Sequence, residues 1–69
     1  MKISARNQLA GTVVTVVPGI TTAHVTVDIG GGNVMTAAIT NESANELGLA
    51  PGAKVTVIVK SSDVMIGVD

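Results

Sequence analysis

Polar and apolar residues alternate along much of the chain, and this alternation is typical of β-strands that bury one face. The clearest example covers residues 21–29, with the sequence TTAHVTVDI. Its apolar positions are Ala23, Val25, Val27 and Ile29, and its polar positions of the opposite parity are Thr22, His24, Thr26 and Asp28. The pattern predicts a strand with one face in a core and the other face in water.

Four further segments have the composition of strands. They are the valine- and threonine-rich residues 9–17, which a Pro18-Gly19 turn signal follows, and residues 34–39, 54–60 and 64–68. The first of these segments carries valines on both faces, at Val13, Val14, Val16 and Val17. A strand that is apolar on both faces of so small a protein predicts that a second subunit covers one of them.

Three consecutive glycines, Gly30 to Gly32, separate the second strand from the third and precede Asn33. Glycine-rich loops that bind phosphate run from a strand into a helix. Here the next segment, residues 34–39, has the character of another strand. The glycines therefore predict a hairpin turn rather than a phosphate loop.

Residues 40–48 contain the only clear helix signal. Thr40 or Asn41 is suited to be the N-cap, an acidic residue follows in the first turn, and Gly48 is suited to end the helix. The order of elements predicts an all-β fold in a single domain, residues 1–69: a small five-stranded, OB-fold-like barrel with one short helix between strands 3 and 4. A sandwich and an open meander are the competing layouts.

Composition narrows the class of protein. The chain has 69 residues, no cysteine and no aromatic residue, so its core must come from small aliphatic side chains. A core of this size stabilises a chain only marginally, which favours self-association. There is no signal-peptide pattern, and no apolar run approaches the roughly 20 residues of a membrane span. We therefore expect a cytoplasmic protein that does not bind membranes.

Charge and side-chain chemistry argue against two other classes. The formal net charge is -1, and only four side chains are basic. Without aromatic residues to stack on bases, this balance disfavours nucleic-acid binding. The single histidine, His24, has no assured acidic partner and is interpreted as a solvated or interface residue. We expect no enzymatic activity, no organic cofactor and no direct metal-cation site.

Hydroxyl and amide side chains gather where backbone N–H groups lack partners. Thr40, Asn41 and Ser43 lie at the predicted helix start, and Lys60 with Ser61 follows the fourth strand. Convergent donors with a cation nearby can bind a tetrahedral oxyanion. Each group also has an ordinary structural interpretation, because T-N-E-S is a common helix cap and K-S-S a common polar turn.

The opening S-A-R-N-Q-L-x-G-T-V, residues 4–13, resembles the signature of the molybdate-binding domain of the molbindins, or Mop proteins. The likeness continues through A-I-T-N-E-S-A-N-E-L-G-L, residues 38–49, and V-I-V-K-S-S-D-V-M-I, residues 57–66. The resemblance implies an OB-like barrel that assembles as a hexamer, a trimer of dimers. It also implies that molybdate or tungstate is held between the subunits.

The resemblance also implies a set of ligand-binding residues. The implied oxyanion-binding residues are Ser4, Ala5, Arg6, Thr40, Asn41, Ser43, Lys60 and Ser61. Ser4 and Arg6 would face Lys60 and Ser61 of another subunit, with Ala5 small enough to let the oxyanion approach. The alternative for Arg6 is a weak surface ion pair with a carboxylate such as Asp63.

The expected function is the binding and storage or buffering of molybdate, and of tungstate, at the subunit interfaces of a cytoplasmic homo-oligomer. The alternative is a self-assembling small β-barrel that docks a protein or a nucleic acid, with its hydroxyl clusters serving only as caps and turns. The third hypothesis is an enzyme that uses His24 as a general base.

Overall fold

The computed structural model describes all 69 residues, from Met1 to Asp69. The elements are β1 (Asn7–Pro18), β2 (Thr22–Gly30), β3 (Asn33–Thr40), α1 (Asn41–Glu46), β4 (Lys54–Val59) and a 3-10 turn (Ser61–Asp63). The strands form one antiparallel sheet in the order β3-β2-β1-β4. The prediction of an all-β fold with one short helix between the third and fourth strands is confirmed.

The long strand β1 organises the sheet because its two halves have different partners. Residues 7–12 pair with β4, and residues 12–18 pair with β2. Where the partners change, a Cβ on Gly11 would lie 2.5 Å from Val27 Cγ1 and 2.9 Å from the Asp28 carbonyl oxygen. Only glycine fits so close an approach of two strands. Since neither partner spans all of β1, part of each of its edges has no neighbouring strand.

The valines of β1 face both ways, and a β-bulge decides which of them face the core. The register shifts between Val13 and Thr15, which leaves Val14 at the bulge. Val13 is 2% exposed, whereas Val14 is 46% exposed and Val17 58%. Val16 returns to the inner face and packs against the core. The predicted apolar character of both faces of this strand is confirmed.

The hydrophobic core is small. The buried residues are Val13, Ala23, Val25, Val27 and Ala44. The alternation predicted for β2 is confirmed, because Ala23, Val25 and Val27 are buried while His24 and Asp28 are exposed. Only 5 of 69 residues are buried, which is consistent with a chain that depends on further contacts for its stability.

Helix α1 begins where the sequence predicts. Thr40 is the N-cap, and its Oγ1 accepts a hydrogen bond from the Ser43 N–H at 3.0 Å. After the last helical residue the chain reverses through Gly48, whose φ of 65° lies in the left-handed region that favours glycine.

The predicted fifth strand, residues 64–68, is not formed in the single chain, and the barrel is not closed. The segment makes no backbone hydrogen bond after the one that Val64 donates to Ser61, and no strand pairs with it. Met65, Ile66 and Val68 are 92%, 87% and 95% exposed. A β-strand requires a neighbouring edge to pair with, so the sequence pattern alone was insufficient here. The result is an open sheet of four strands.

Candidate functional site

An open depression of about 450 Å³ lies between the segment that precedes β1 and the segment that follows β4. It is lined by Ile3, Ser4, Ala5, Arg6, Ile58, Lys60, Ser61 and Ser62. These include five of the residues implied by the family resemblance, namely Ser4, Ala5, Arg6, Lys60 and Ser61. We call this feature the serine-lined depression.

Strand pairing brings these two segments together. Asn7, the first residue of β1, pairs with Val59, the last residue of β4. Antiparallel pairing therefore places the S-A-R-N residues directly beside the K-S-S residues. Lys60 precedes the 3-10 turn, and its carbonyl accepts a hydrogen bond from the Asp63 N–H at 2.9 Å. The resemblance implied that these groups face each other between subunits; in the structure they line one depression of the same chain.

The chemistry of the serine-lined depression suits an anion. Its lining residues include Arg6, Lys60 and three serines, and none of them is Asp or Glu. None of these five side chains makes a hydrogen bond within the protein. Asp63, the alternative partner of Arg6, is not among the lining residues.

Gln8 is a residue near this site that sequence reasoning missed. Its Nε2 donates to the Ala5 carbonyl at 2.9 Å and so connects β1 to the segment before it. The only available signal was the position of Gln8 directly after S-A-R-N. Nothing in the pattern indicated that its amide would fold back three residues.

The helix start forms a second, separate group of polar residues. The Thr40 hydroxyl accepts from the Ser43 N–H and donates to Ser43 Oγ at 2.8 Å. The backbone N–H of Asn41 donates to the Thr21 carbonyl at 2.8 Å, and its Nδ2 donates to the Gly19 carbonyl at 3.0 Å. Thr40, Asn41 and Ser43 do not line the serine-lined depression.

The amide of Asn41 is therefore used to hold the helix start against the β1–β2 turn. Its Oδ1 is buried and has no hydrogen-bond partner. This free group is an acceptor, which repels an oxyanion instead of binding it. Of the helix-start side chains, the Ser43 hydroxyl retains a proton to donate, since it accepts the bond from Thr40.

Other kinds of site have little support. His24 is exposed on β2, opposite Val17 of β1 and Ala38 of β3, so no acidic side chain stands across from it in the sheet. No group of three or more His, Cys, Asp or Glu residues is arranged to hold a metal ion. The chain has no helix with the length and hydropathy that a bilayer crossing requires.

The fold and the depression together define a class: a small antiparallel β protein with a depression beside its open sheet that two basic residues and three serines line. The chain belongs to the TOBE domain family, whose model matches residues 3–66, and within it to the Mop, or molybdenum-pterin-binding, proteins. It is 53% identical over 66 residues to molybdenum-pterin-binding protein 2 of Clostridium pasteurianum, covering 96% of this chain and 97% of the relative. The resemblance found in the sequence is confirmed.

Solved structures agree with this assignment. MopII from Clostridium pasteurianum superimposes with a TM-score of 0.90 at 51% identity, covering 97% of this chain and 100% of that chain. ModG, described as a cytoplasmic molybdate-binding protein and solved with molybdate bound, gives a TM-score of 0.94 at 43% identity. The present chain is covered completely by ModG and spans 49% of its length.

Proposed function

We propose that this protein binds molybdate, and also tungstate, and that it stores or buffers these oxyanions in the cytoplasm without catalysing a reaction. The serine-lined depression is the observation that carries this proposal, because it combines Arg6 and Lys60 with hydroxyl donors and no carboxylate. The similarity to proteins named for molybdenum-pterin and molybdate binding supports it.

The ligand chemistry matches the lining. Molybdate is a tetrahedral dianion with four acceptor oxygens, and charge-assisted hydrogen bonds from Arg, Lys and hydroxyl groups satisfy such oxygens well. Hydrogenphosphate carries a proton that needs an acceptor. The lining offers that proton serine hydroxyls but no carboxylate, which would be a stronger acceptor, so we expect the site to favour molybdate over phosphate.

We further propose that the protein is a homo-oligomer, a hexamer built as a trimer of dimers. The small core, the exposed apolar residues 64–68 and the incompletely paired strand β1 support self-association. An apolar cavity of about 240 Å³, with ten hydrophobic residues among its eleven, remains open beside the core. In this proposal residues 64–68 become the fifth strand when subunits associate, which closes the barrel.

The oligomer also explains how the two polar groups serve one ligand. Thr40, Asn41 and Ser43 lie outside the serine-lined depression of their own chain. They contribute to an oxyanion held in that depression only if they come from a second subunit. In this arrangement Ser43 supplies a hydroxyl, while Thr40 and Asn41 hold the helix start in place.

Native mass spectrometry with and without molybdate tests the proposal, with sulfate and phosphate as controls. We expect a hexamer that gains discrete molybdate masses and gains none from phosphate. A chain lacking residues 64–69 should form smaller species. A hexamer that gains mass from no oxyanion would refute the binding function, and a folded 6.9 kDa monomer would refute the assembly.

A further inference from the structure

We infer that the outer face of the sheet formed by β1, β2 and β3 is a contact surface for a second copy of this chain, in which His24 of each copy faces Asp28 of the partner subunit. The inference rests on the proposed self-association and assigns a role to His24, which the oxyanion site does not use. A trimer of dimers needs at least two kinds of contact between subunits, and the pairing of residues 64–68 supplies only one.

The outer sheet face consists of three rows of side chains, each with one residue from β1, β2 and β3. The strand register gives the rows as Val17, His24 and Ala38; Thr15, Thr26 and Thr36; and Thr12, Asp28 and Val34. The Thr15 and Thr26 hydroxyl oxygens are 2.6 Å apart, so these side chains lie on the same face. The buried residues Ala23, Val25 and Val27 alternate with the face residues of β2 and therefore lie on the opposite side of the sheet.

This face is exposed but carries few charges. All of its nine residues except Thr12 and Thr26 are exposed, and its only titratable side chains are His24 and Asp28. Sheet surfaces that face water usually carry more charged residues, whereas the centres of protein interfaces are depleted of them. Val17 and Val34, each 58% exposed, lie in the two outer rows. The outer sheet face thus has the composition of a covered surface.

The positions of the two titratable residues decide how a second copy fits. His24 and Asp28 lie two residues to either side of Thr26 on β2. At about 3.3 Å per residue they are about 13 Å apart, which exceeds the screening length of about 8 Å at physiological ionic strength. They therefore interact little within one chain.

A two-fold axis that lies in the interface, perpendicular to β2 and over Thr26, exchanges the two ends of the face. His24 then lies opposite Asp28 of the partner subunit, and Asp28 opposite His24 of the partner subunit, as an isologous contact requires. Each contact forms this pair twice. The face is self-complementary in charge only for a second copy in this orientation.

The other residues of the face fit the same symmetry. In the outer rows, Ala38 lies opposite Val34 of the partner subunit, and Val17 lies opposite Thr12 of the partner subunit. A small side chain therefore meets a larger one, and no charge meets a like charge. The nearest lysine, Lys54, lies beyond Thr12 on β4 and donates to its Oγ1 at 3.0 Å.

Both members of the proposed pair are available. The His24 side chain makes no hydrogen bond within the protein. Asp28 uses Oδ1 to accept from the Gly30 N–H at 2.8 Å, which leaves Oδ2 free. An imidazole can donate a hydrogen bond to a carboxylate in either of its protonation states. The pair thus needs no rearrangement of the chain.

The test places one substitution in two backgrounds and measures association by sedimentation equilibrium. His24→Asp puts two carboxylates opposite each other twice per contact, and we expect it to raise the dissociation constant about 100-fold. His24→Asn is the uncharged control, because asparagine suits a strand as poorly as aspartate does, and its effect should not exceed about tenfold. Asn45→Asp adds the same charge at an exposed helix position and should leave association unchanged.

Asp28→Asn then gives the decisive sign. Asparagine keeps an oxygen for the Gly30 N–H and removes the charge. In the wild-type background we expect Asp28→Asn to weaken association about tenfold, because the pair is lost. In the His24→Asp background it should strengthen association about tenfold, because the repulsion is relieved. Circular dichroism of each variant checks that the sheet is retained.

The outcomes separate this inference from the proposed assembly. Effects of Asp28→Asn that have the same sign in both backgrounds, or a His24→Asp protein that associates like the wild type, would overturn the inference alone. A wild-type protein that sediments as a folded 6.9 kDa monomer would overturn the proposed self-association itself.

Discussion

Two regions of this molecule share hydroxyl side chains, but these hydroxyls are free in one region and engaged in hydrogen bonds in the other. The serine-lined depression and the helix start each combine hydroxyl groups with backbone N–H groups, and both resemble anion sites in the sequence. At the helix start, Thr40, Ser43 and Asn41 bond to one another or to the neighbouring turn. In the depression, no side-chain donor has a partner in the protein.

The difference shows that residue type identifies a potential donor, whereas the fold decides whether that donor remains available. At the start of a helix, a capping side chain accepts from orphan N–H groups, and the hydroxyl is then no longer free. The serine-lined depression lies beyond the paired ends of β1 and β4, where no α-helix start supplies unpaired N–H groups that would engage the hydroxyls. The predictions below test this contrast, from the largest expected effect to the smallest.

Removing the Lys60 ammonium should have the largest effect on ligand binding. We expect Lys60→Ala to weaken molybdate binding by roughly 1 to 3 kcal/mol, the range for a hydrogen bond to a charged group. Lys54→Ala is the matched control, because its ammonium donates to Thr12 Oγ1 at 3.0 Å and lies outside the depression. Calorimetric titration of both variants gives the comparison, and equal affinities would remove Lys60 from the site.

Asn41 tests the structural side of the contrast. In Asn41→Asp the side chain no longer donates to the Gly19 carbonyl, and a carboxylate replaces a partly buried amide. We expect the free energy of unfolding to fall by about 2 kcal/mol. Asn45→Asp, at an exposed position of the same helix, should leave stability nearly unchanged.

Urea denaturation at one fixed protein concentration measures both Asn variants, since the stability of an oligomer depends on concentration. If Asn41→Asp kept wild-type stability but lost molybdate binding, Asn41 would be a ligand residue and the contrast would be wrong.

The sequence was sufficient to predict the secondary-structure elements whose signals lie within a few neighbouring residues. The strict alternation in β2, the Thr40 cap and the Gly48 terminus predicted the corresponding structure. The prediction of a fifth strand was not met because pairing is not a local property. Residues 64–68 have the composition of a strand but pair with no strand of their own chain. The bulge at Val14 was also beyond the pattern, and it explains why Val16, three residues after Val13, faces the core as Val13 does.

For the site, the motifs identified which residues are donors but not which donors are free. The S-A-R-N and K-S-S segments could be brought together only by the register of β1 with β4, which pairs Asn7 with Val59. The engagement of Asn41 with Gly19 depends on the contact of helix α1 with the β1–β2 turn. Neither contact leaves a periodic signal in the sequence.

Thr40 allows a smaller test of the helix start. Thr40→Val keeps the shape of the side chain and removes the hydroxyl that caps Ser43 N–H. We expect a loss of about 1 kcal/mol in unfolding free energy, typical of a lost N-cap. Thr36→Val, at an exposed position of β3, is the control and should not destabilise, because valine suits a strand. Wild-type stability of Thr40→Val in urea denaturation would contradict the cap assignment.

The smallest effect compares two serines, one from each region. Ser61→Ala removes a free hydroxyl of the depression and should weaken molybdate binding by about 1 kcal/mol. Ser43→Ala should weaken binding by less, and should cost about 0.5 kcal/mol of stability, because its backbone N–H keeps the bond to Thr40. Calorimetry measures the affinities of both variants, and urea denaturation measures their stabilities.

Equal losses of affinity in the two variants would contradict the contrast between the regions. The Ser43 hydroxyl would then contact the ligand as closely as the Ser61 hydroxyl does. Because Ser43 lies outside the depression of its own chain, any effect of Ser43→Ala on binding would come through the proposed ligand held between subunits.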